Sequence, residues 1–316
     1  MFARVSPLTE YSSSVPSSPE THFTVQRCSQ QQAYEYFYEG SVLEGWNPGA
    51  QGHDIRDVFY GLDPKGWFYG KLSIPGEPDK VVSIISAVRY GEDQGWIGYY
   101  LADPAYRGRG YGMKGFQAAL EHLKGCRQIG LDGLMAQVEN YKKSGFVHNS
   151  WENERRHGSV VDLVETGERQ LAQQIRENQS AYRLVRLNEV PVNKMVELEE
   201  RFTAAMEGDE LIGFGCVRQS ESSYRLGPLY STKADAAKEI LVKLAVDVVD
   251  ADKNTDRDKS VPLYFDMDVP ISNNAVVEML DKYGWKNISS SVRMWKGEAP
   301  KVDVDGVFAI NTLEIG

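Results

Sequence analysis

Between a strand-like stretch, Trp96 to Ala102, and a helix-like stretch, Tyr111 to Leu123, the chain reads Arg107-Gly108-Arg109-Gly110-Tyr111-Gly112. This junction limits the fold more than any other feature. Glycines add no Cβ and tolerate positive φ, so the backbone can approach a ligand closely. The N–H groups and the positive dipole end of the following helix then face that ligand, an arrangement that suits a phosphate. Arg107 and Arg109 add charge-assisted donors. A strand, a Gly/Arg loop and a helix in this order predict an α/β fold with a diphosphate cradle. No Gly-Lys-Ser/Thr closes the run, so it is not a P-loop, and it is not Gly-x-Gly-x-x-Gly. A plain flexible turn is the alternative, disfavoured by the elements on either side.

A chain of 316 residues is long enough for two ordinary domains. Its net charge of −10 argues against a nucleic-acid partner. Cys28, Cys126 and Cys216 are too few and too scattered for a disulfide framework or a zinc site. We therefore expect no metal and a reducing, cytoplasmic setting. No apolar run approaches the ~18 residues of a membrane span. Residues 1–21 are rich in Ser and Pro, lack an apolar signal core and read as a disordered tail.

Alternation and helical spacing predict β-α-α-β-β-β-α-β-α-β over residues 22–158. Ser29 is the expected N-cap of the first helix. The helix after the glycine run carries Met113, Phe116, Leu120 and Leu123 at helical spacing, which marks a packed face. Arg107, Gly110 and Gly112, preceded by Asp103-Pro104-Ala105-Tyr106, resemble motif A of the GCN5-related N-acetyltransferases. Asn140-Tyr141-Lys142-Lys143-Ser144-Gly145-Phe146 resembles a second segment of that family. The resemblance implies a mixed α/β sheet and acetyl-CoA as co-substrate. Arg107, Gly108, Arg109, Gly110, Tyr111 and Gly112 would hold its diphosphate, with Asn140 and Lys143 nearby. Tyr100, Leu101 and Ala102 would meet the pantetheine arm on a strand that splays from its neighbour. The Tyr100 N–H would polarise the thioester carbonyl, and Tyr141 would protonate the departing thiolate. Packing against pantetheine is the plainer role for Tyr141.

The general base is less determined. Trp96 stands where many relatives of the family place a glutamate. His53, Asp54, Glu92, Asp93, Glu139, His148 and a water chain all remain open. Asp54 is the favoured amine-binding carboxylate, with a helix cap as its competing role. Trp46 and Asn47, in Gly45-Trp46-Asn47-Pro48-Gly49, join it as acceptor-site residues.

A polar stretch, 161–180, links to a second unit over 181–316, where a similar element order recurs. A helix is expected over Asn193 to Phe202. Asp281-Lys282-Tyr283-Gly284-Trp285 parallels the run that ends in Phe146. At the position of the glycine run stands Gly227-Pro228-Leu229-Tyr230-Ser231-Thr232-Lys233-Ala234-Asp235, with one basic residue and an acid at the helix start. The second unit is therefore expected to bind no CoA and to wall the acceptor site, with Tyr264, Asp266 and Asp268 within reach. These runs resemble a tandem-domain group of YitH-like bacterial acetyltransferases. The reading that follows is an N-acetyltransferase acting on a small amine in a ternary complex, with a catalytic unit at 22–160. A protein or peptide acetyltransferase and a CoA-sensing module without turnover are the alternatives.

Overall fold

A computed structural model describes residues 21–186 and 201–316. The first half runs β1 (His22–Arg27), α1 (Gln30–Leu43), a π-helical turn Asp54–Phe59 continuing into α2 (Tyr60–Leu62), β2 (Trp67–Ser73), β3 (Lys80–Tyr90), β4 (Gln94–Ala102), α3 (Tyr111–His122), β5 (Gln128–Leu134), α4 (Val138–Lys143) and β6 (His148–Ser159). The predicted order holds throughout. Ser29 caps α1 through a reciprocal capping box with Gln32. The connection contains α5 (Val160–Asp162) and α6 (Arg169–Arg176), and β7 (Arg183–Val185) follows. The second half then runs β8 (Arg201–Glu207), β9 (Glu210–Gln219), β10 (Tyr224–Ser231), α7 (Ala234–Asp252), β11 (Tyr264–Pro270), α8 (Asn274–Lys282), β12 (Lys286–Gly297) and β13 (Val307–Ala309). Most of the helix expected at Asn193 to Phe202 lies outside the described residues. Its last two residues, Arg201 and Phe202, are in strand β8.

All the described strands join one sheet, ordered β1-β2-β3-β4-β5-β12-β6-β11-β10-β9-β8-β7, with β13 on β10. The last long strand of each half crosses over. β12 pairs with β5, and β6 lies between β12 and β11. The segment 22–160 thus leaves its own sheet after β5 and completes the other half. The exchange interlocks the halves and fixes what lies beside the end of β4.

The first half has two cores, one on each sheet face. Ile85, Ala87, Ile97 and Phe116 pack under α3, whereas Phe37, Trp67, Ile84 and Val88 pack under α1. Ile84 and Ile85 separate as a two-residue period requires. Strand β4 breaks that period. Ser86 faces Gly98 but Ile84 faces Leu101, so Tyr99 and Tyr100 together oppose Ile85. Tyr99 sits at φ 49°, the mark of a bulge. As a result Tyr99 points into the α1 core while Tyr100 packs on the α3 side.

Just before this bulge β4 and β5 part. They pair in parallel only from Gln94 to Trp96 against Gln128 to Gly130. β10 and β11 part in the same way, after pairing only at Tyr224–Phe265 and Arg225–Asp266. There the gap is filled by the chain itself. β13 pairs with β10 at Leu229 and Tyr230, and the Ile310 N–H bonds the Asp268 carbonyl on β11 at 2.9 Å.

Candidate active site

The gap between β4 and β5 opens into a cleft of about 720 Å³. Ile97, Gly98, Tyr99 and Tyr100 form one side, and Leu131, Asp132 and Leu134 the other. Tyr141 of α4 closes one wall. Ser289, Ser291, Leu313 and Glu314 come from the second half. The strand exchange brings in Ser289 and Ser291, since β12 lies along β5 where the first half's own strand would otherwise lie, and the segment after β13 brings in Leu313 and Glu314.

The glycine run lies beside the cleft on the α3 side, where Gly112 meets Tyr100 of the lining. Gly108 and Gly110 adopt φ 78° and 80°, values that favour glycine. Gly110 is the N-cap of α3, and no side chain caps its first turn. The N–H groups of that turn are therefore available to an acceptor. Gly112 abuts Tyr100, whose hydroxyl lies 3.0 Å from where a Cβ would sit. The two arginines differ. Arg107 Nε donates to the Ala102 carbonyl at 2.9 Å and Nη2 to Glu44 at 2.9 Å, so it ties the loop to the end of β4 and to α1. Arg109 is exposed and lies 5.3 Å over the Tyr106 ring. Tyr111 stacks on Phe23 at 4.5 Å. Asn140 and Lys143 are exposed on α4. Leu101 packs partly against the α1 core, and Ala102 is half-buried at the end of β4.

Tyr141 stands inside the cleft. Its ring packs on Phe116 at 6.2 Å and Tyr100 at 6.5 Å. It also covers Gly133, where a Cβ would fall 2.8 Å from the ring. Burial, with a smaller contribution from Tyr100, pushes the Tyr141 phenol up to about 12. Gly133→Ala should push the phenol out of place and lower turnover about tenfold while the fold persists; turnover kinetics beside a circular-dichroism spectrum check this.

Behind the cleft lies a buried ionic layer shared by both halves. Arg155 on β6 grips Asp268 on β11 in a bidentate pair at 2.7 and 2.9 Å. Arg225 on β10 adds a third bond to Asp268 at 2.7 Å. Both arginines also donate to the Trp46 carbonyl at 3.2 Å. Burial opposes ionisation of Asp268, but Arg155 and Arg225 outweigh it and hold this carboxyl below its usual range. Asp132 is wholly buried and pairs with Arg293 at 2.6 and 3.0 Å. Arg293 in turn lies between the Trp96 and Trp151 rings. Burial dominates at Asp132 and raises its pKa despite Arg293.

The expected acceptor residues separate. Trp46 lines the cleft. Asn47 does not. Its amide donates to Ser223 and Asp266 at 2.7 Å each and its oxygen accepts from Ser222, so it joins the two halves. Asp54 is buried with its two oxygens taken by the Gly49 and Ile55 N–H groups at 2.8 Å. It lies in a second, smaller cavity behind Trp46 and serves as a backbone tie. The other candidate bases also lie outside the cleft lining. His53 holds the Ala50 carbonyl, Asp93 pairs with Arg127 and Glu139 with Lys142. Glu92 and His148 are exposed. Tyr264, Asp266 and Asp268 are likewise occupied, Tyr264 stacking on His157 and Asp266 bonding it. Sequence reasoning missed Asp132 on β5, and it missed Arg155, Ser289, Ser291 and Glu314, which reach the cleft through the exchanged strands and the segment after β13. Among the described residues no cluster of side chains is arranged for a metal ion, and no helix is long and apolar enough to cross a membrane.

Comparisons with known proteins agree with this geometry. Residues 32–146 match the acetyltransferase (GNAT) family, and residues 192–309 match an acetyltransferase (GNAT) domain. The chain is 28% identical over 290 residues to holothin acyltransferase of Pseudoalteromonas sp. (strain SANK 73390), covering 88% of this chain and 90% of that one. A crystal structure from Pyrococcus horikoshii superposes with a TM-score of 0.66 at 18% identity, covering 93% of this chain and 96% of that one. A tandem GNAT protein from the clavulanic acid biosynthesis pathway superposes with a TM-score of 0.56 at 12% identity, over 90% of this chain and all of that one.

Proposed function

This chain belongs to the GNAT acyltransferases in both its halves, and from that premise we propose that it moves an acetyl group from acetyl-CoA to a small amine. The observation that carries this reading is the cleft itself. One strand gap has a glycine-capped helix packed beside it and Tyr141 in its wall, and the other gap is filled by β13. The first half is thus the half with room for pantetheine. The Gly108–Gly112 loop and the bare first turn of α3 would hold the diphosphate, with Arg109 adding charge. The β4 edge beyond Trp96, released from β5, would bond the pantetheine amides, and the Tyr100 N–H would stabilise the oxyanion. The amine attacks the thioester carbonyl directly, and the thiolate takes the Tyr141 proton.

Residues from the second half narrow the cleft, which favours a small acceptor over a protein tail. Its lining of Trp46, Tyr99, Tyr100 and Tyr141 beside Glu314 suits a flat cationic amine. A similar protein named holothin acyltransferase supports acyl transfer. Release of free thiol from acetyl-CoA, followed across a panel of alkyl- and arylamines, tests this; binding without release on any amine would overturn it. Arg109→Glu is expected to weaken acetyl-CoA binding at least 100-fold, since it removes a charge-assisted donor and repels the diphosphate. Calorimetric titration reads the change.

A further inference from the structure

The segment after β12 links the two strand gaps. Its first part, Val307–Ile310, fills the gap between β10 and β11 with antiparallel pairing and one bond to Asp268. Phe308 is buried there, and Gly227 has no room for a side chain because the Ile310 carbonyl lies 2.2 Å from its would-be Cβ. Its second part crosses to the other gap. The Leu313 carbonyl accepts from the Trp96 indole at 3.2 Å, and the Ile315 carbonyl from the Tyr90 hydroxyl at 2.6 Å. The Glu314 carbonyl lies 1.7 Å from the would-be Cβ of Gly98. Gly98 is the residue before the bulge, so the segment rests on the part of β4 that borders the cleft. Its anchoring on both gaps fixes Leu313 and Glu314 at the cleft, and Glu314 is the charged one of the two.

We infer that Glu314, held in place by this strap, is the carboxylate that receives the proton of the attacking amine. The inference rests on the amine-transfer reading above. Among the described residues, five other charged groups line the cleft or the small cavity behind it, and each is engaged. Asp132 is paired with Arg293, and Arg155 and Arg225 with Asp268. Arg218 donates to the Gly227 and Asn311 carbonyls, and Asp54 holds backbone N–H groups. Glu314 accepts the Thr312 hydroxyl on Oε2, while Oε1 forms an ion pair with Arg225 at 3.8 Å, too long for a hydrogen bond. That oxygen is available to an ammonium. In the step, the ammonium N–H bond breaks and its proton passes to Glu314. The freed lone pair forms the C–N bond, the C–S bond breaks with its electron pair on sulfur, which Tyr141 protonates, and the second proton lost from nitrogen returns to the Tyr141 phenolate, leaving the neutral amide.

The test compares two acceptors with acetyl-CoA at pH 7: benzylamine, which is protonated, and hydroxylamine, which is already neutral. Enzyme-free rates are subtracted. Glu314→Gln is expected to lower kcat/KM for benzylamine about 100-fold and to leave hydroxylamine within about threefold, with acetyl-CoA affinity unchanged. Glu314→Asp, which keeps the carboxylate but shortens its reach, should show the same bias more weakly, and it serves as the second variant if the glutamine form folds poorly. Equal losses on both acceptors, or no loss on either, would overturn the role of Glu314 alone. A wild-type chain that binds acetyl-CoA yet acetylates neither acceptor would overturn the amine-transfer reading and the role of Glu314 with it.

Discussion

Asp268→Ala is expected to lower the unfolding free energy by about 3–5 kcal/mol, seen as a large drop in the urea midpoint. Asp268 is 4% exposed and holds two guanidinium groups by three hydrogen bonds. Removing it leaves Arg155 and Arg225 buried side by side, with the Glu314 carboxylate 3.8 Å from Arg225 as a longer ion-pair partner. Both would still face the single Trp46 carbonyl, which cannot neutralise two charges. The loss falls on three neighbouring strands, β6, β11 and β10, and so on the exchange that joins the halves. Asp79, exposed and paired with Lys71, is the control, and its replacement should leave the midpoint in place. The pH dependence has a definite sign. The folded pKa of Asp268 lies below its unfolded value, so its contribution is complete above an unfolded value of about 3.9 and is lost as the pH falls through the folded value. The gap between wild type and Asp268→Asn should therefore narrow below about pH 4. A midpoint shift equal to that of the Asp79 variant would show that the triad contributes no more than a surface pair.

The loop and its flanks were legible because their signals are local. Glycine at φ 78° and 80°, an arginine run and a helix with Phe116 at core spacing all lie within two dozen residues. The Tyr141 to Phe146 turn was legible for the same reason, with Gly145 at φ 94° closing α4. The strand exchange was not. β6 and β12 have the composition of ordinary strands, and nothing in their residues states which half supplies the partner. The acceptor side depends on that exchange, so the neighbours of its residues were not legible. Asn47 sits in a Gly/Pro loop that looks like a pocket rim, yet its partners Ser222, Ser223 and Asp266 come from the other half. Asp54 illustrates a second limit: a carboxylate at a helix start serves the backbone as readily as a ligand, and here the backbone won. Glu314 carries no motif. Its position follows from Gly98 and Gly227, two glycines whose missing Cβ atoms admit one peptide strap.

Tyr141→Phe is expected to lower kcat about 100-fold or more while acetyl-CoA affinity changes less than about twofold. The substitution keeps the ring, and with it the packing on Phe116, Tyr100 and Gly133, so the cleft wall stays in place. What it removes is the one proton this phenol can deliver. With its pKa pushed up to about 12, chiefly by burial, Tyr141 stays protonated throughout the neutral range and retains that proton until sulfur becomes basic. An ordinary phenol would begin to lose activity near pH 10. Here the protonated form is required and the folded value is higher, so any alkaline fall due to Tyr141 should be displaced toward pH 12. The proton matters most when the leaving thiolate is most basic. An acetyl donor with a more acidic thiol should therefore recover much of the rate lost in Tyr141→Phe, whereas wild type should gain little. Unchanged kcat in the variant would reduce Tyr141 to a packing residue, and equal loss with both donors would place its effect on cleft shape instead of proton delivery.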